Sequence, residues 1–312
     1  MLVIRDIENI KNKWKDCILT IGNFDGVHLG HKFLLNFITK QKILYNKPVV
    51  LLLFEPQPLE LLRPDASPPR LTKLREKIRH LSLWNIDTII CLRFNKHFSL
   101  LHPNQFISDI LVEKLKVKIL IIGNDFRFGK NRMGNVSLLR EKGKIYNFHV
   151  IVPNTYCKNN KKISSTAIRN ALSKNNFSLA QSLLGYPFSI SGKVIHGRKK
   201  GRKIGFPTAN ISLSQYISPV TGVFAVKIPK LLTKYIYGIA NIGIKPSFSN
   251  QLQQLEVHLF DITIDLYTQN IEVILCKKIR DEKTFSSIEE LKKQISKDIL
   301  IVRNYFAIHY KT

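Results

Sequence analysis

The chain has little of what marks several large protein classes. Only four cysteines occur in 312 residues, Cys17, Cys91, Cys157 and Cys276. They lie far apart and form no Cys-x-x-Cys pair, so neither a disulfide framework nor a cysteine metal site is expected. No apolar run approaches the roughly 18 residues that span a bilayer. The opening Met1-Leu2-Val3-Ile4-Arg5-Asp6 carries charge where a secretory signal would be apolar. A cytoplasmic protein without a membrane partner is the expectation. Acidic residues are scarce, 22 against 49 Lys and Arg, for a formal net charge of +27. Such a balance suits nucleic acid, an anionic surface or phosphorylated small molecules. The excess, however, is mostly Lys dispersed among abundant Ile and Asn, as AT-rich coding supplies. No helix carries the run of Arg and aromatics that reads bases. A nucleic-acid partner is therefore not expected. Internal repeats and low-complexity linkers are also missing.

What is present is ordinary globular composition, 44% hydrophobic and 23% charged, at a length that allows two compact domains. In the first half, apolar runs at residues 17–21, 49–54, 88–92, 118–122 and 149–152 alternate with helical patterns at about 30–40, 70–83, 104–114 and from 138. Strands separated by helices predict an α/β domain with a parallel, Rossmann-like sheet. Its ligands belong beyond the carboxyl ends of the strands. Residues 164–184 read as two short helices. Beyond Tyr186, short alternating segments at 189–195, 222–228, 236–242, 255–260 and 271–277 predict an antiparallel β-barrel or sandwich. An amphipathic C-terminal helix over 287–305 has Leu291, Ile295, Ile299 and Val302 on one face. The domain boundary is placed near Gly185, giving domains 1–185 and 186–312.

After the first of these strands comes Gly22-Asn23-Phe24-Asp25-Gly26-Val27-His28-Leu29-Gly30-His31. Gly22, Phe24, Gly26 and Gly30 form a turn that lets backbone approach a nucleotide, and a helix N-terminus favours phosphate. His28 and His31 can donate hydrogen bonds to phosphate oxygens as charge builds in the transition state. A bland alternative is that both histidines only cap the helix. The His-x-Gly-His pattern resembles the signature of the nucleotidyltransferase superfamily, which implies adenylyl transfer from ATP with release of pyrophosphate. Four further motifs narrow this. Phe54-Glu55-Pro56-Gln57-Pro58 follows the second strand, and Gly123-Asn124-Asp125-Phe126-Arg127-Phe128-Gly129 follows the fourth. Ile163-Ser164-Ser165-Thr166-x-Ile168-Arg169 opens a helix, as does Arg70-Leu71-Thr72-x-Leu74-Arg75-Glu76-Lys77. Singly they read as caps or core. In this order they resemble the FMN adenylyltransferase module of bacterial bifunctional riboflavin kinase/FAD synthetases. The resemblance implies that Ser164, Ser165, Thr166 and Arg169 contact ATP phosphates and that Asp125 and Arg127 line the nucleotide site. It also implies flavin contacts from Phe54, Pro56, Gln57, Pro58, Phe126 and Phe128. Gln57 stands where that family usually has His, so it can donate a hydrogen bond but carries no charge. The stretch from Gly123 to Lys130 is no Walker motif: its spacing is one residue too long and Asn131 replaces Ser/Thr.

The second half has a basic, glycine-rich stretch able to wrap polyphosphate: Gly192, Lys193, His196 and Gly197, then Gly205-Phe206-Pro207-Thr208-Ala209-Asn210. Thr208 and Asn210, two apart on an extended segment, offer same-side oxygen ligands to a hard cation such as Mg²⁺. Glu256, a carboxylate in an apolar strand, is a candidate general base; pairing to a Lys at the rim is the alternative. His258 is taken as solvent-facing or core. The series continues through Ile279-Arg280-Asp281-Glu282-x-x-Phe285 and resembles the riboflavin kinase module. That implies nucleotide contacts from Gly192, Lys193, His196, Gly197, Gly205 and Pro207 and Mg-ATP held at Thr208 and Asn210. It further implies Glu256 activating the ribityl 5′-hydroxyl, and a loop of Arg280, Glu282 and Phe285 closing over the flavin. Ser247 for Thr and Thr268 for Gly are small departures. The expected ligands are thus riboflavin, FMN, FAD and ATP, with oligomeric state left open. Two rival readings remain: a kinase carrying a degenerate first domain, and a basic nucleic-acid-binding protein.

Overall fold

The computed structural model describes residues 1–5, 10, 16–158, 161–197, 200–213, 217–229, 235–246, 251–262 and 264–309, with backbone alone at 200, 244–246, 251 and 252. Ser247 lies outside the described residues. The chain forms two compact units, one of Met1–Pro68 with Leu74–Ser164, the other of Pro69–Lys73 with Ser165–Thr312.

The first unit is a six-stranded sheet of β1 (Leu2–Ile4), β2 (Cys17–Ile21), β3 (Val49–Glu55), β4 (Thr88–Arg93), β5 (Val117–Ile121) and β6 (His149–Ile151). The order is β1-β4-β3-β2-β5-β6, and every neighbouring pair is parallel. Cys17–Ile21 is buried at every position, the mark of a strand covered on both faces. One face packs on α1 (Leu29–Tyr45) and α3 (Leu74–Leu81) through Leu35, Ile38 and Leu81. The other packs on a π-helical stretch, Phe106–Lys114, and on α4 (Val136–Tyr146), through Phe106, Leu111 and Leu139. A short α2 (Pro58–Leu62) follows β3. Asparagines end and begin these helices. Asn46 and Asn147 sit at C-caps in the left-handed region, and the Asn135 side chain accepts from Leu138 N. The edge strand β1 and the hairpin β7 (Cys157–Lys158) and β8 (Lys161–Lys162) are too short for sequence periodicity to reveal.

The second unit is a closed antiparallel barrel: β9 (Ser189–Ile195), β10 (Ala209–Ser212), β11 (Gly222–Ile228), β12 (Ile236–Pro246), β13 (Gln251–Leu259) and β14 (Asn270–Arg280). Their order around it is β10-β13-β12-β11-β14-β9. Phe224, Val226, Ile242, Leu255 and Val257 share a core with Ile168 and Leu172 of α5 (Ser165–Ser173) and Ala180 and Leu184 of α6 (Phe177–Leu184). Alternate residues Val223, Ala225 and Ile239 face the opposite way, toward Val302 and Phe306 of α7 (Ile288–His309). Two features differ from the sequence expectation. The compact units divide after Ser164 rather than near Gly185, because α5 and α6 bury their apolar faces in the barrel core. Residues 70–73 are not helical; α3 begins at Leu74, and Leu71 is buried in the barrel unit's core.

Candidate active sites

In the first unit the strand order reverses at β2, which lies between β3 and β5. A crevice at such a switch point is where open α/β sheets take their ligands. The chain leaves β2 through a bend in which Phe24, Gly26 and Val27 have φ of 46°, 81° and 34°. Positive φ at Phe and Val is costly; the burial of both side chains holds the bend in place. His28 is the N-cap of α1, and its Nδ1 accepts from His31 N at 3.3 Å. Its ring stacks on that of His31, centroids 3.7 Å apart. Acceptance at Nδ1 puts the proton of neutral His28 on Nε2, a donor suited to a phosphate oxygen. Capping uses one nitrogen of the ring, and phosphate binding would use the other. A side chain at Gly30 would come within 3.1 Å of the His28 ring and of Ile163 O, so glycine spares the ring a tight contact.

Three buried polar atoms of this unit have no protein hydrogen-bond partner: Thr20 Oγ1 on β2, His31 Nδ1 on α1 and Gln57 Nε2 just after β3. Natural interiors rarely leave such groups unmet except where a ligand meets them. Burial, then His28 and Lys77, holds His31 well below its ordinary value. Lys77 itself is fully buried. Gln57 is the N-cap of α2 and Pro58 its first residue, with Gln57 N donating to Glu60 Oε2 at 2.9 Å. Phe54, beside Pro56 at the end of β3, packs against Phe94 and Phe98. Beyond β5, Asp125 pairs with Lys162 at 2.8 Å, which lowers the Asp125 carboxyl below its usual range. Arg127 is exposed, and Phe126 stacks on Phe128. Phe128 itself is core, pressed against Phe106 and against Gly134, where no side chain would fit. Ser164 closes the first unit. Ser165, Thr166 and Arg169 lie on α5 in the second, where Arg169 Nε donates to Pro69 O at 2.6 Å.

In the second unit a pocket of about 410 Å³ holds Thr208, Asn210, Glu256, Arg280, Glu282 and Phe285 together. Cross-strand register explains the gathering: Asn210 of β10 and Asn241 of β12 both stand opposite Glu256 of β13. The row faces away from Leu255 and Val257, which are core. Asn210 Oδ1 accepts from Gln254 Nε2 at 2.5 Å and keeps a second lone pair. Thr208, Asn210 and Glu256 are the hard oxygen donors that Mg²⁺ prefers, so the residues fit such an ion. His258 also lines the pocket, its Nδ1 2.8 Å from Pro207 O, instead of lying idle at the surface or in the core. Arg280 lines it too, but Nε and Nη2 both meet Asp298 Oδ2 at 2.8 Å and Nη1 donates to Asp281 O. Its guanidinium thus anchors the 280–285 loop to α7.

The basic stretch predicted to wrap polyphosphate is arranged otherwise. Gly192 and Lys193 are within strand β9, and a side chain at Gly192 would strike Ile211 and Ser212 O. His196 stacks on Tyr267 at 3.9 Å, and Gly197 abuts the Asn210 amide. Gly205 makes a turn with φ of 92°. None of these, nor Pro207, lines the pocket. Asn241, Asp298 and Phe206 do line it and were given no role from sequence. Asn and Phe in a strand or turn carry no signal until register places them beside a carboxylate. A larger cavity, about 500 Å³ around Tyr235, Phe260 and Phe306, contains none of the predicted residues.

The FAD synthetase family model matches residues 10–167, and the riboflavin kinase family model matches residues 184–306. A bifunctional riboflavin kinase/FMN adenylyltransferase of Buchnera aphidicola subsp. Acyrthosiphon pisum is 55% identical over 311 residues, 99% of each chain. The Escherichia coli K12 protein of the same name is 49% identical over 309 residues, again 99% of each. A Streptococcus pneumoniae crystal structure, named as that of a macrolide-efflux protein, aligns with 97% of this chain and 98% of its own. Its TM-score is 0.76 at 27% identity. With both modules matched in chain order and full-length relatives at about half identity, the chain belongs to the bifunctional riboflavin kinase/FMN adenylyltransferase family.

Proposed function

We propose that the barrel unit phosphorylates riboflavin to FMN and that the α/β unit adenylylates FMN to FAD, both from ATP. Full-length relatives named for both activities favour this over a kinase with a degenerate first domain and over a nucleic-acid-binding protein. The observation that carries the reading is Glu256, opposite Asn210 in one pocket, with the stacked His28–His31 pair at a strand end in the other unit. Two transfers have two separate sites.

In the first step Glu256 accepts the proton of the ribityl 5′-hydroxyl as its oxygen attacks the γ-phosphorus, and ADP leaves. Thr208 and Asn210 would hold Mg²⁺, which supplies charge neutralisation on the phosphates. Phe285 and the loop anchored by Arg280 cover the flavin. In the second step an FMN phosphate oxygen attacks the α-phosphorus of ATP, and pyrophosphate leaves. His28 Nε2–H and His31 donate to the oxygens that gain charge, a role that neutral rings fill. Gln57 Nε2 meets an acceptor on the bound flavin nucleotide, which accounts for its lack of a protein partner.

Incubation with riboflavin, ATP and Mg²⁺, separating FMN from FAD over time, tests the scheme. Glu256→Gln is expected to cut FMN formation roughly 10²–10⁴-fold and leave FAD formation from supplied FMN intact. His28→Ala with His31→Ala should do the reverse. A folded variant of either kind that lost both activities would refute separate sites.

A further inference from the structure

Among the polar groups that line the pocket around Glu256, Asn241 has a buried acceptor to which the scheme above gives no work. Asn241 stands directly across from Glu256 on β12, on the opposite side from Asn210. Its Nδ2 donates to Glu282 Oε1 at 3.1 Å, while its Oδ1 is buried without a protein partner. The amide orientation follows from chemistry: a carboxylate only accepts, so the NH₂ must face Glu282 and the carbonyl oxygen must face away from it. The arrangement is built into the strand. Gly243, two residues along on the same side, is where a methyl group would overlap Glu282 Oε1, so glycine there keeps room for the carboxylate that orients Asn241.

We propose that Asn241 Oδ1 accepts a hydrogen bond from the substrate hydroxyl next to the one phosphorylated, the ribityl 4′-OH, and so sets the polyol chain against Glu256. This rests on the kinase reading of the pocket. The choice of donor comes from spacing. Opposite residues on paired strands hold their Cβ atoms about 4.5–5.5 Å apart. A group that close to the base meets the carbon chain bearing the reacting hydroxyl, not the distant ring system. Asn210 and Thr208 lie on the other side of Glu256, toward the phosphates. Asn241 and Glu282 then define the polyol side, and the row Asn210–Glu256–Asn241 runs from phosphate to sugar alcohol.

The test compares kcat/KM for riboflavin and for 4′-deoxyriboflavin, measured as total FMN plus FAD formed. Wild type is expected to prefer riboflavin roughly tenfold or more, the scale of one oriented hydrogen bond. Asn241→Ala should show the same low value with both flavins, with KM for ATP and FAD formation from supplied FMN unchanged. Gly243→Ala, which displaces Glu282 and frees the amide to turn, should lose the same preference by a separate route. If wild type turns over both flavins and both variants discriminate as strongly as it does, the assignment to Asn241 is wrong. If wild type phosphorylates neither flavin, the kinase reading falls, and this inference with it.

Discussion

At His28 the capping and catalytic readings of one side chain are compatible, because Nδ1 serves the helix and a donor role toward substrate would fall to Nε2. Its neighbour His31 is held well below the ordinary 6.5 by burial first, then by His28 and Lys77. Between the folded and unfolded values the unfolded chain binds a proton that the folded chain does not. Stability therefore rises with pH through that window and is lost as pH falls below about 6.5. Urea unfolding at pH 5.5 and 7.5 should show a steeper acid loss for wild type than for His31→Asn; equal slopes would remove burial of this ring as the cause. Gln57 allows a sharper separation of stability from function. Leucine at this position removes a buried donor with no protein partner, so Gln57→Leu is expected to keep or raise stability by about 1 kcal/mol. The same change should raise KM for FMN roughly tenfold. A variant with an unchanged KM would place the Gln57 amide away from the flavin nucleotide.

At the scale of elements, two polar anchors hold the barrel. Lys73 Nζ donates to Ser191 O at 2.8 Å and to Ser212 O at 3.2 Å, tying β9 to β10 where only two residue pairs are in register. Charged hydrogen bonds of this kind contribute about 1.5–3 kcal/mol. Lys73→Met should lower hydrogen-exchange protection of the amides in Ser189–Ile195 by a comparable free energy. The second anchor is Asp298 of α7, 2% exposed at the side chain, with Arg280 at 16%. Breaking a buried pair from one side costs about 3–5 kcal/mol. Asp298→Ala should lower the melting temperature and raise KM for riboflavin, since the loop carrying Phe285 loses its tether. A normal riboflavin KM in a folded variant would detach that loop from flavin binding.

For the molecule as a whole, the net charge of +27 is expected to act through its field. A positive field concentrates anionic substrates and weakens as salt screens it. Raising ionic strength from 0.05 to 0.5 M should raise KM for ATP in both reactions while changing kcat little. An ATP KM indifferent to salt would show that the charge is compositional alone. Division into two compact units also fits two reactions that mutations are expected to remove one at a time. The segment Pro69–Lys73 joins the second unit although both chain segments flanking it belong to the first, so the barrel unit is not continuous in sequence.

Periodicity alone was enough to read the five main parallel strands, the barrel strands apart from the short β10, and the C-terminal helix, because each is a local consequence of which faces are apolar. The His-x-Gly-His turn and the Thr208–Asn210 pair were legible for the same reason: their chemistry lies within a few residues. Contacts between distant residues were not. The placement of α5 and α6 with the barrel depends on which apolar face they cover, and the strap at 69–73 depends on carbonyls more than a hundred residues away. The glycines and Lys193 at 192–197 look like a phosphate loop in sequence, while only the folded barrel shows that Ile211 and Ser212 O press on Gly192. Asn241 lines the pocket through register with Glu256, a property of two paired strands that no single strand encodes, whereas His258 shares the pocket face of β13 two residues along from Glu256.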